Sequence, residues 1–288
     1  MDSNLARRIA FAAVAIPLAI LIVWAGGWPL ALLVATIAVL GTAEVFDLAR
    51  RHEVEALRPL GLAVAALIPL AWYLSRVDAD AADFLANWSA YLVPALVIVA
   101  LTMALALRPA TTRPLGVIAV TLFGVGYAGL LPAFLVLIRH GAWPVRSWGG
   151  TALVFFPLVV VWVCDTAAMF GGRWVGGAKL APSISPGKTR AGGIAGLIGG
   201  VLVAPLFALV VFPRVGIELS IGTACAMALG FSVIGQVGDL AESLLKREAG
   251  VKDSSSLIPG HGGVLDRLDS LYFVIPAAAA CYRIAGLL

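Results

Sequence analysis

Four carboxylates in the C-terminal part of the chain set the chemical question. Asp239 and Glu242 stand three residues apart, and so do Asp266 and Asp269, so each pair shares one face wherever the chain is helical. Between the pairs lie the positive charges of Lys246, Arg247, Lys252 and Arg267, together with His261 in the run Pro259-Gly260-His261-Gly262-Gly263, which permits a tight backbone turn. Carboxylate oxygens suit a hard divalent cation such as Mg²⁺, which takes a few of them and completes its shell with substrate phosphate oxygens. Basic side chains beside them neutralise those phosphates. Acids for metal next to bases for phosphate is the composition of a phosphoryl or nucleotidyl transfer site. Blander readings stand beside this one: a solvated helix face for the first acid pair, capping of the last helix for one acid of the second, and a loop cap for His261.

These residues need elements to hold them. Gln236, Asp239, Glu242, Ser243 and Lys246 fall on one face of a helix, and Val237, Leu240, Leu244 and Leu245 on the other, which predicts an amphipathic extension of an apolar helix. Most of the remaining chain is oily: 61% of residues are hydrophobic and 12% charged, and the mean hydropathy is +1.00. That excludes an ordinary soluble domain, in which about a quarter of residues are charged. Apolar runs at 9–24, 28–43, 60–75, 90–107, 115–138, 150–170, 192–212, 217–237 and 270–287 predict an all-α polytopic membrane protein with about nine transmembrane helices. The first run follows Arg7-Arg8 without a cleavage signature and is expected to be a retained helix rather than a signal peptide. The chain reads as a single membrane domain, 1–288, with helices for packing and possible lipid or homodimer contacts over 1–150 and the catalytic region over 151–288.

Placing Lys and Arg on alternate connections, with the N-terminus in the cytoplasm, puts fifteen of the twenty on one side and four, Arg76, Arg139, Arg146 and Arg214, on the other; Arg283 falls inside the last helix. The asymmetry assigns the 171–191 and 238–269 segments to the cytoplasmic face of a bacterial-type inner (plasma) membrane. Cys164, Cys225 and Cys281 fall inside apolar runs without metal or redox spacing and read as small core residues. Glu44 and Asp47, near the end of the second helix, could serve a site, but the expectation is that they face cytoplasmic water. Three patterns are set aside. Gly124-Val125-Gly126-Tyr127-Ala128-Gly129 has dinucleotide-loop spacing but lies inside an apolar run, where helix packing explains it. Gly187-Lys188-Thr189 has Pro182 where a P-loop needs Gly, although a basic, glycine-containing loop still suits phosphate. Gly192, Gly196 and Gly200 lie on one helix face and open it to close packing, within the subunit or between subunits.

The residues then carry a resemblance. The stretch Ser243-x-Leu245-Lys246-Arg247-x4-Lys252-Asp253-x-Ser255-x2-Ile258-Pro259-x-His261-Gly262-Gly263-Val264-x-Asp266-Arg267-Leu268-Asp269 resembles, position by position, the signature of the phosphatidate cytidylyltransferases, or CDP-diacylglycerol synthases. Gly238-Asp239-Leu240-x-Glu242-Ser243 and the region from Cys164-Asp165 through Gly171-Gly172-Arg173 to Lys188-Thr189 are similar to the same family. The chain departs from the family pattern at Arg190-Ala191-Gly192, where an aromatic residue and Glu usually precede Gly, and at Met169, where Tyr is common. The resemblance implies transfer of the cytidylyl group of CTP to phosphatidate, giving CDP-diacylglycerol and pyrophosphate. It further implies metal ligation by Asp239, Asp266 and Asp269, with Asp165 and Glu242 as further candidates, around Mg²⁺ in a two-cation site. Lys246, Arg247, Lys252, His261 and Arg267 are expected to act in catalysis, and Lys179, Ser185, Lys188, Thr189 and Ser243 to bind substrate. The implied partners are CTP, phosphatidate and the bilayer; no nucleic-acid partner is expected. A CTP-dependent lipid kinase, moving the γ-phosphate to a lipid alcohol, and a transporter are the competing readings.

Overall fold

The computed structural model describes residues 16–257 and 262–288, so the expectation for His261 lies outside the described residues. The helices follow the apolar runs closely. They are α1 (Ile16–Ala25), α2 (Gly27–Arg50), α3 (Arg58–Val77), α4 (Ala79–Leu107), α5 (Pro114–His140), α6 (Trp148–Val175), α7 (Arg190–Arg214) and α8 (Ile221–Glu248). A short α9 (Leu265–Leu268) then leads into α10 (Leu271–Ile284). Seven of these, α2 to α8, are long and apolar enough to cross a membrane; α1, over its described residues, and α10 are shorter apolar helices. Polar residues punctuate the runs as caps: the side chain of Asp78 accepts from Ala81 N–H at the start of α4, Thr189 from Gly192 N–H at α7, and Ser220 from Thr223 N–H at α8.

Lipid tails are as apolar as leucine, so packing rather than water exclusion must hold such helices together, and small residues let backbones approach. The tightest pair is α6 with α7. A Cβ on Gly192 would lie 2.7 Å from the carbonyl oxygen of Ala168, and one on Gly196 would lie 3.0 Å from that of Cys164. The glycine stripe thus serves packing within the subunit. The Gly124–Gly129 pattern also serves packing: Gly124 abuts the ring of Phe46, Gly129 abuts Ala65, and the turn between them widens into a π segment, Val125–Leu130, within α5.

The 171–191 connection is not wholly irregular. Lys179–Ala181 (β1) and Ser185–Thr189 (β2) pair antiparallel, with Lys179 opposite Thr189 and Ala181 opposite Ser185. Pro182 and Pro186 deny this stretch a helix, and Gly176 and Gly177, at φ 67° and 87°, turn the chain out of α6 into the hairpin.

Hydrogen bonds show which connections share an end of the bundle. At one end Arg108 binds Glu55, Arg113 the carbonyl of His52, Arg247 that of Ile184, and Ser254 binds Glu44. This gathers the α2–α3, α4–α5, α6–α7 and α8–α9 connections. At the other end the buried Arg139 guanidinium donates to the carbonyls of Val23 and Trp24, closing the last turn of α1.

Candidate active site

The hairpin, the end of α6, the start of α7, the polar face of α8 and α9 enclose a cavity of about 910 Å³. Asp165, Asp239, Asp266 and Asp269 line it, and so do Arg173, Lys179, Lys188 and Arg267. Trp162, Met169 and Leu180 add apolar wall. Eight residues named from the sequence for metal, catalysis or substrate, Asp165, Lys179, Lys188, Thr189, Asp239, Asp266, Arg267 and Asp269, meet here across about a hundred residues of chain.

Within it, Lys188 Nζ forms an ion pair with Asp239 Oδ2. The hairpin's cation therefore reaches across to the polar stripe of α8. Ser243, one turn on, lies 3.5 Å from Asp239 Oδ1, a long contact. Asp269 sits just before α10 and spends one oxygen on the backbone N–H of Ser270 at 2.7 Å. Burial, and then the negative charge of Asp239, push its carboxyl up to about 6. Thr189 also lines the cavity, but its hydroxyl is committed to capping α7, accepting from Gly192 N–H at 3.0 Å.

Lys246 takes a different place. Its ammonium lies beneath the cavity, 2.9 Å from Glu242 and 2.6 Å from Asp266, and all three residues are buried. Glu242 has no exposed surface, and its second carboxylate oxygen has no partner. Asp266 Oδ2 accepts from Gly263 N–H, Ser254 N–H and the Ser254 hydroxyl, all within 2.9 Å. Burial alone would raise this carboxyl, but the bonds from Lys246, Gly263 and Ser254 outweigh burial and hold it below the usual range. Among the described residues Lys246 alone donates to Asp266 Oδ1, which leaves that oxygen a lone pair toward them.

Three other expected residues stand apart from the cavity wall. Arg247 ties α8 to the hairpin, donating to the Ile184 carbonyl at 3.1 Å and to Val251 at 2.9 Å. Lys252 is exposed in the following loop, and Ser185 opens β2.

The sequence reading of Glu44 needs correcting. Glu44 does not face water: it is 4% exposed, and its carboxylate accepts four bonds from the α8–α9 loop. An acid nearly two turns from the end of an apolar helix gives no sign in sequence that its partners lie more than two hundred residues away. Asp47, in contrast, is exposed and pairs with Arg58 at 2.7 Å. Gln236 was legible only as part of the polar stripe; its amide donates to the Gly193 carbonyl at 3.0 Å and fixes α8 against α7 at the cavity wall.

The donor set fits a hard cation in part. Among the described residues no group of three or more His, Cys, Asp or Glu is spaced to enclose a metal ion. Mg²⁺ does not require such a cage, since one or two carboxylates plus phosphate oxygens suffice. The upward push that Asp239 exerts on Asp269 marks concentrated negative charge where a cation would be held.

Comparison with known proteins gives a consistent picture. Residues 6–285 match the model of the cytidylyltransferase family. The chain is 36% identical over 294 residues to phosphatidate cytidylyltransferase 5, chloroplastic, of Arabidopsis thaliana, covering 92% of this chain and 68% of that protein. It is 45% identical over 163 residues to a phosphatidate cytidylyltransferase of Brucella suis biovar 1, and 44% identical over 156 residues to one of Haemophilus influenzae. Those two matches cover 55% and 51% of this chain, and each spans 54% of the relative, about half its length.

Proposed function

This chain belongs to the cytidylyltransferase family, and we propose that it transfers the cytidylyl group of CTP to phosphatidate, forming CDP-diacylglycerol and releasing pyrophosphate. The observation that carries the reading is the cavity in which Asp165, Asp239 and Asp269 face Arg173, Lys179, Lys188 and Arg267 at one end of a membrane helix bundle.

The chemistry asks little of a base. A phosphate monoester has a second pKa of about 6, so phosphatidate is largely a dianion at neutral pH and is already nucleophilic. One of its oxygens attacks the α-phosphorus of CTP; the bond from that phosphorus to the β-phosphate oxygen breaks, and its electron pair leaves on pyrophosphate. The obstacle is repulsion between two polyanions, which positioned cations relieve. Lys179, Lys188, Arg173 and Arg267 bind the phosphates, and Lys188 exchanges Asp239 for a phosphate oxygen as substrate enters. Asp239 and Asp269, with the remaining lone pair of Asp266 Oδ1, would hold Mg²⁺, and a second cation would bring in Asp165. When bound, the metal neutralises charge on the reacting phosphates. Lys246 holds Asp266 in place from below, and Arg247 holds the hairpin over the site. Trp162, Met169 and Leu180 give the cavity an apolar side along which a lipid can bring its phosphate while its acyl chains stay in the leaflet. The Lys and Arg asymmetry supports a cytoplasmic orientation for this end, and in the proposed reading the membrane is a bacterial-type plasma membrane with CTP on that side.

The test uses purified protein in detergent with phosphatidate, Mg²⁺ and CTP labelled at the α or the γ phosphorus. Label from the α position should extract with lipid. Label from the γ position entering an added lipid alcohol would refute the reading in favour of a kinase, and movement of neither label by folded protein would refute enzymatic transfer from CTP.

A further inference from the structure

We propose that Glu44, in the N-terminal half, is a positioning residue for the transfer reaction, acting through the loop that carries Asp266, Arg267 and Asp269. The inference rests on the reading of function above. It begins from a buried charge the mechanism does not use: Glu44 is 4% exposed and does not line the cavity, so it touches neither substrate nor metal.

A carboxylate in that setting must be satisfied by hydrogen bonds, and among the described residues every partner lies on the α8–α9 loop or at the first residue of α9. Glu44 Oε1 accepts from the Ser255 hydroxyl at 2.7 Å and Val264 N–H at 2.9 Å. Glu44 Oε2 accepts from the Ser254 hydroxyl at 2.8 Å and Leu265 N–H at 2.9 Å. Both ends of the α8–α9 loop are thus pinned to one side chain of α2. Gly263 lies against it so closely that a Cβ there would stand 2.5 Å or less from both carboxylate oxygens.

The clamp continues into the site. Ser254 and Gly263, which flank Glu44, also supply the bonds to Asp266 Oδ2. The Ser254 hydroxyl stands 2.8 Å from Glu44 and 2.9 Å from Asp266, and its single proton serves one of them at a time. Glu44 thereby fixes the backbone from which Asp266 to Asp269 enter the cavity. Arg173, Lys179 and Lys188 come from α6 and the hairpin, so the loop sets Asp266 and Asp269 without setting most of the cations. Loosening it should lower turnover while leaving CTP capture nearly intact.

The experiment compares the full-length wild type with Glu44→Gln in detergent, with Asp47→Asn, one turn along α2, as control. An amide in place of the carboxylate presents an NH₂ to donors, one of them a backbone N–H that cannot turn away. Expected are faster hydrogen exchange at residues 254–257 and 262–265, kcat about 10- to 100-fold lower, and a KM for CTP within about threefold of wild type. Ser255→Ala should lower kcat less, and adding it to Glu44→Gln should lower kcat no further, because Ser255 acts through Glu44. Should Glu44→Gln fail to fold, Ser255→Ala alone gives the same test, with a fall of about threefold to tenfold in kcat. Unchanged kcat in an active enzyme, whether or not exchange rises, overturns the inference. So does a loss explained entirely by less folded protein, or multiplicative losses in the double variant. A wild type that moves no α label overturns the reading of function and this inference with it, whereas an active wild type with an indifferent Glu44→Gln overturns the inference alone.

Discussion

Replacing Lys246 by Met separates two roles for one side chain. A lysine that served only to bind phosphate would leave the fold intact when removed. The structure gives this ammonium two buried carboxylate partners, with side-chain exposures of 10% for Lys246, 0% for Glu242 and 4% for Asp266. Met fills the same volume but leaves two negative charges facing each other, one on a carboxylate whose second oxygen already lacks a partner. Breaking a buried ion pair from one side costs about 3–5 kcal/mol, against less than about 0.5 kcal/mol for an exposed residue such as Lys252. Mixed-micelle denaturation of Lys246→Met should show a loss in that range, and Lys252→Met almost none. Adding Glu242→Gln to Lys246→Met removes one of the stranded charges and should recover about 1–2 kcal/mol, a coupling that a double-mutant cycle isolates. If Lys246→Met is as stable as wild type yet inactive, the ammonium serves substrate and its role as a buried counter-ion to Glu242 and Asp266 is wrong.

Other outcomes follow from single features. Asp239→Asn should abolish lipid labelling without unfolding the protein, and near-normal turnover would remove Asp239 from the site. Asp269 is pushed up to about 6 in the folded chain, above the roughly 3.9 of an unfolded carboxyl. Such a group supports the fold fully below the unfolded value and loses that contribution as pH rises through about 6. Metal-free protein should therefore melt higher at pH 5 than at pH 7.5; Mg²⁺ should raise the pH 7.5 value more, and Asp269→Asn should flatten the difference. Gly196→Val should destabilise by about 1–3 kcal/mol through overpacking, because a Cβ there already crowds the Cys164 carbonyl. Gly126→Ala, with nothing within 4 Å, should leave melting and turnover unchanged, and a loss of activity would reopen the glycine pattern as a site.

How much of this was legible in the sequence depends on whether a residue's partner lies within reach of a local rule. Helix positions followed from runs of apolar residues punctuated by proline, glycine and charge, because a bilayer imposes length and polarity on every span. The carboxylates and most of the cations of the cavity were legible as chemistry, since acids at helical spacing beside basic residues are visible in the residue types alone. The hairpin was missed because Lys179-Leu180-Ala181 is too short to show alternation, and only the prolines hinted that no helix forms there. Thr189 and Lys246 make contacts within the fold that the sequence does not show. Sequence shows that a hydroxyl or an ammonium is near the site but not that a helix start or a buried acid claims it first. Glu44 was misplaced for the same reason in stronger form: a lone acid near a helix end reads as solvated until the fold brings Val264 and Leu265 to it.

On the proposed function, the charge on the cavity wall would join binding of nucleotide to binding of cation. Asp165, Asp239, Asp266 and Asp269 are matched by Arg173, Lys179, Lys188 and Arg267, four against four. A balanced wall is stable without substrate, and the Lys188–Asp239 pair is the visible form of that balance. It also offers no net attraction to two polyanions. If phosphate takes Lys188 away from Asp239, that carboxylate is left beside Asp269 with no partner, and the repulsion already present between the two grows. Asp239 and Asp269 would hold a divalent cation that arrives with the nucleotide, and its charge would cancel that repulsion. Entry of anion and cation together is then favoured over entry of either alone. On this reasoning CTP and Mg²⁺ bind cooperatively, and Lys188→Ala should weaken CTP binding while tightening Mg²⁺ binding to the nucleotide-free protein. Equal weakening of both would refute the exchange of partners.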